Sequence, residues 1–130
     1  DPCSKFFERR MKNQVEIQQR FLKEDAQMQL GHLASDLSRI ASLMDIKMEE
    51  ETVKSVMEEA KFFAEWAGRA TDAALGNQVL LTEIQGFIAQ KELEWDSTCK
   101  NEEWRVGLQR QLRLWAEELL KRGGFLDHNE

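Results

Sequence analysis

The chain contains no tyrosine, one proline and two cysteines among its 130 residues, and its only histidines are His32 and His128. Each scarcity closes off a class of structure or chemistry. With Pro2 the sole proline, nothing after the N-terminus is forced to break a helix. The lack of tyrosine and of alternating β-branched runs leaves no credible strand, so an all-α chain is expected. No apolar run approaches the roughly 18 residues needed to span a bilayer. No charged-then-apolar leader opens the chain.

Reactive side chains are equally sparse. A carboxylate-bridged metal centre in a helical bundle needs an inward Glu with a His three residues later on two helices, and neither histidine has that partner. His32 flanks an apolar seam and reads as a structural histidine. Cys3 and Cys99 lack both a Cys-x-x-Cys spacing and a clear basic pocket, which makes them free thiols of a cytoplasmic protein. A bridge between them would instead suit a secreted helical ligand.

Charge is present in quantity but has the wrong distribution for nucleic acid. The net charge is −6. The first 24 residues sum to about +2 and residues 25–66 to about −5. An acidic middle repels phosphate backbones, so no duplex nucleic acid is expected as a partner. The stretch with Lys5, Arg9, Arg10 and Lys12, beside Phe6 and Phe7, resembles a basic amphipathic arm that could touch an anionic surface weakly.

What the sequence has in abundance is helical periodicity. Val53, Val56, Ala60, Phe63, Ala67, Ala70 and Ala74 recur at gaps of three and four, which aligns them on one seam of a helix running to about Leu75. Glu51, Glu58, Glu65 and Asp72 fall on its opposite side, with Lys54 and Lys61 in pairing range. Ahead of it, a long first helix reaching Met44 carries Ala26, Leu30, Leu33, Leu37, Ile40 and Met44 inward and Gln27, Gln29, Ser35, Asp36 and Arg39 on its polar side. At that length it either breaks near residues 23–25 or projects beyond its neighbours.

A third helix is expected over about 78–95, with Leu80, Leu81, Ile84, Phe87, Ile88 and Trp95 as its stripe and Gly76 and Asn77 as the stop and cap before it. A fourth spans about 102–122, with Trp104, Leu108, Leu112, Trp115 and Leu119 inward. Cations in its last turn, Gly123 and Gly124 beyond it, and Phe125 folding back predict a Schellman-type end. The expected fold is therefore an up-down-up-down four-helix bundle with a long first helix. Residues 1–12 form a basic arm or appendage, 13–124 the bundle and 125–130 a tail. Gly68, near Ala60, Ala64 and Ala67, is expected to mark a close backbone approach.

No motif specifies a reaction, and no catalytic residue, metal ligand or cofactor is expected. Glu58, Glu59, Glu92 and Asp96 are the acids an all-α, metal-dependent nucleotide hydrolase would use, but the register turns Glu58 outward and gives Glu59 no inward acid beside it. Trp104 and Trp115 belong to a seam and read as core. Trp66 lies beside its seam next to Phe62, which leaves both partly exposed unless another helix covers them. With Arg69 at the rim, Phe62 and Trp66 form the candidate contact surface. A non-enzymatic bundle acting by protein contact or self-association is the functional expectation.

Overall fold

The computed structural model describes residues 2–45, 49–69 and 75–126, with side chains from residue 13 onward apart from that of Leu75. The chain is all-α: α1 spans Pro2–Lys23, α2 Ala26–Leu43, α3 Glu50–Gly68, α4 Leu75–Thr98 and α5 Glu102–Arg122. Among the described residues there is no strand.

Five helices replace the expected four because the long first one breaks at Glu24 and Asp25. Asp25 takes an extended backbone conformation, φ −71° and ψ 168°, and its carboxylate accepts the Met28 N–H at 2.8 Å, capping α2. The Gln29 amide donates back to the carbonyls of Phe21 and Glu24, both at 3.2 Å, tying the first turn of α2 to the end of α1. Local hydrogen bonding thus fixes the break without proline.

Helix α3 ends at Gly68 rather than near Leu75, with the Arg69 N–H bonded to the Glu65 carbonyl at 3.1 Å. Ala70, Asp72 and Ala74, expected in this helix, lie outside the described residues. A Cβ at Gly68 would meet the Leu81 Cβ at 3.8 Å, an ordinary contact, so no unusually close backbone approach requires this glycine. Gly76 and Asn77 do not stop a helix. They sit inside the first turn of α4, where Arg122 of α5 donates to the Gly76 carbonyl at 3.0 Å and to Asn77 Oδ1 at 3.1 Å. Weak intrinsic propensity at two residues yields here to tertiary contact.

The bounds of α5 agree with expectation. Asn101 accepts the Trp104 N–H at 2.9 Å as N-cap. At the other end Gly124 has φ 81°, and the Phe125 N–H reaches the Leu120 carbonyl at 2.8 Å. These are the left-handed residue and six-to-one bond of a Schellman end.

Helix α2 packs on α3 and on α5, while α3 packs on α4. Large aromatics join α4 to α5: Phe87 meets Trp115 edge-on at 4.9 Å and Trp95 meets Trp104 at 5.7 Å. Trp95 is fully buried, whereas Trp104 and Trp115 are half-buried at the margin of the core rather than inside it. Because α2 has neighbours on two sides, it buries a wider arc than one seam. Gln29 and Asp36, expected on its polar face, are buried, while Ala26 is exposed. Gln109 of α5 is also buried, donating to the Ala41 carbonyl at 3.0 Å and to Asp45 at 2.7 Å.

Candidate functional site

The expected contact surface lies where α1 meets α3. Phe62, Phe63 and Trp66 share the C-terminal half of α3, and Phe63 lies on the seam. Phe21, in the last turn of α1, stacks on Phe63 with ring centroids 4.4 Å apart and lies 5.8 Å from Trp66. His32 of α2 completes the cluster at 6.3 Å from Phe21 and 6.5 Å from Phe63. Aromatic contacts of this kind add roughly 0.5–1.5 kcal/mol each to area burial.

Trp66 is therefore buried, at 8% exposure, and not partly exposed. The first helix covers it, using a phenylalanine outside the seam residues. Phe62 stacks on Trp66 at 5.5 Å and remains half-buried, and Arg69 is exposed while pairing with Glu65 at 2.7 Å. The structure brings all three candidate residues to one corner, with Phe62 and Arg69 accessible there.

One helical turn from the aromatic cluster, along both α2 and α3, lies an arrangement that sequence reasoning missed. Asp36 is four residues beyond His32 and Glu59 four before Phe63, and the two carboxyl groups meet across the α2–α3 interface. Asp36 is 7% exposed, and its Oδ2 is buried without a donor. An unsatisfied carboxylate oxygen beside a second carboxylate is costly unless a proton lies between them. Burial, followed by the charge of and hydrogen bond to Glu59, pushes Asp36 up to about 8, against a smaller opposing effect of Arg39. At neutral pH Asp36 therefore keeps its proton. The signal was faint because an acid at a seam margin looks solvated until the neighbouring helix is placed.

Of the acids considered for hydrolysis, only Glu58 and Glu92 come together, from α3 and α4, and Lys61 lies 3.2 Å from each of them. Burial, opposed by Lys61 and assisted by Glu58, holds the Glu92 carboxyl above its usual range. The cation occupies the place a metal would need. Glu59 belongs to the Asp36 pair, and Asp96 bonds exposed Lys54 at 2.9 Å. Among the described residues no group of three or more His, Cys, Asp and Glu side chains is arranged to hold a metal ion.

Cys99 carries a buried free thiol with Sγ 3.7 Å from Glu50 Oε1. Burial and the Glu50 charge push this thiol up, away from a reactive thiolate. The side chains of Cys3, Lys5, Arg9, Arg10 and Lys12 lie outside the described residues, as does His128. Two shallow grooves run along the outer side of α5, lined by residues including Val106, Gln109 and Arg110, and none of the candidate residues borders them. Comparison with protein-family models, with curated protein sequences and with solved structures finds no match, so the reading of function rests on this chain's own residues.

Proposed function

We propose that the chain is a non-enzymatic protein acting through protein contact or self-association at the α3 corner that carries Phe62, Trp66 and Arg69. One observation carries this reading: from α1 a single described side chain, Phe21, is buried, leaving Phe62 half-buried and Arg69 exposed beside it. A planar aromatic next to a guanidinium supplies the anchor types that dominate contact energetics. In this reading α2 to α5 form an up-down-up-down bundle and α1 is an arm added to it. Cys3 and Cys99 are, in this reading, unrelated thiols and the setting is cytoplasmic, where thiols stay reduced.

Light scattering over a concentration series tests the proposal. The wild-type chain is expected to associate as its concentration rises, and Phe62→Ser with Arg69→Glu to weaken association at least tenfold, because loss of an anchor costs about 2 kcal/mol or more. Both side chains are accessible in part, so the variant should retain its helicity. A strict monomer that captures no partner, with the variant indistinguishable from it, contradicts the proposal.

A further inference from the structure

We propose that α1 is a basic amphipathic arm that lies on an anionic lipid surface, using a ridge separate from the Phe62 and Trp66 corner. Helix α1 carries Lys5, Arg9, Arg10, Lys12, Arg20 and Lys23 against two glutamates, a net +4. The whole chain totals −6, so the remaining residues carry −10. The arm therefore opposes the sign of the body to which it is joined.

Its apolar residues are divided between two directions. Among the described side chains of α1 only Phe21 is buried, whereas Val15 and Leu22 are each 50% exposed. Seven residues apart, Val15 and Leu22 share one side of the helix, about 100° or more around from Phe21. The same register places Met11 along this ridge and Lys12 and Lys23 beside it. Phe21 can stay seated against Phe63 while the ridge meets something else.

Lipid fits that ridge better than a second copy of the chain. By register five of the six basic residues of α1 lie about 100° or more around from Phe21, so charge borders the ridge while Phe21 stays seated, an arrangement suited to a helix in the plane of an anionic membrane interface. Pairing α1 with α1 of a second copy would oppose two +4 helices. The corresponding body corner of that copy is already filled by its own Phe21. Arg9, Arg10 and Lys12 lie about 14–18 Å along the helix from Phe21, beyond a Debye length of about 8 Å at physiological salt. Their attraction to an anionic surface is thus largely screened from the acids at the docking corner. No described helix is long and apolar enough to cross the membrane, so the contact is peripheral.

The test is co-sedimentation of the full chain with phosphatidylcholine vesicles prepared with and without phosphatidylserine. Binding is expected only with phosphatidylserine, to weaken as salt rises, and to fall about fivefold for each basic residue removed in Arg9→Gln and Lys12→Gln. Val15→Asp with Leu22→Asp should abolish it. Both positions are half exposed, and circular dichroism checks that helicity is retained. No binding, equal binding to neutral vesicles, or binding unchanged by these substitutions overturns the proposal. So does a dimer that requires Val15 and Leu22 in the absence of vesicle binding, which assigns the ridge to a second copy. Phe62→Ser should leave vesicle binding intact, so this proposal and the one at the α3 corner fail separately.

Discussion

Replacing Asp36 with Asn should make the protein more stable than wild type at pH 8 and remove most of the decline in stability between about pH 4 and 8. In the folded chain Asp36 keeps its proton up to about 8, whereas its ordinary value is 3.8. The folded state therefore binds more protons than the unfolded state throughout that interval. The stabilisation is fully present below the lower value and is lost as pH rises towards the upper one, with a slope of up to ~1.4 kcal/mol per unit. An asparagine amide can donate to Glu59 as the protonated acid does, but it does not titrate. At pH 4 the two proteins should be nearly equal; by pH 8 the variant should be clearly the more stable. Urea melts across the interval measure this directly. Parallel curves for wild type and variant would mean that no proton is held between Asp36 and Glu59.

The second large effect belongs to Phe21. It is 3% exposed, stacks on Phe63 and covers Trp66. Deleting a buried aromatic side chain costs roughly 3–5 kcal/mol where the element is held fully. Since Phe21 is the only buried side chain described in α1, the loss should fall on docking of that helix rather than on the whole bundle. Phe21→Ala is expected to bring amide exchange in residues 13–23 close to that of an unprotected helix and to shift Trp66 emission to the red. Exchange protection in α5 should change little, because the aromatic partners of Phe21 are His32 of α2 and Phe63 and Trp66 of α3. Uniform loss of protection across all five helices would show that α1 is integral to the bundle.

Much of this fold was legible because its signals are local. The three-and-four spacing of Val53, Val56, Ala60 and Phe63 needs no knowledge of the neighbours to define a buried seam, and all four are buried. The end of α5 was readable for the same reason: Gly123, Gly124 and Phe125 encode their own geometry. The break before α2 was one of two expectations. It is decided by Asp25 and by Gln29, a residue that the periodicity placed on the wrong side.

The features that stayed hidden depend on which helix lies beside which. Asp36 and Glu59 each sit at a seam margin, where burial is set by the neighbouring rod and not by the residue's own register. Trp66 likewise owes its burial to Phe21, at a separation of 45 positions that no helical repeat connects. Sequence alone set Phe62, Trp66 and Arg69 on one side of a helix; the fold adds Phe21 and separates the covered tryptophan from half-buried Phe62 and exposed Arg69.

If the α3 corner meets another protein, Phe62 lies within reach of that partner. Site-specific photocrosslinking tests it most directly, with benzoylphenylalanine placed at Phe62 in cells and, for comparison, at Leu93, an isolated apolar side chain with 89% exposure. A discrete light-dependent product of higher mass is expected from position 62 and none from position 93. No product from position 62, or the same products from both positions, would contradict it.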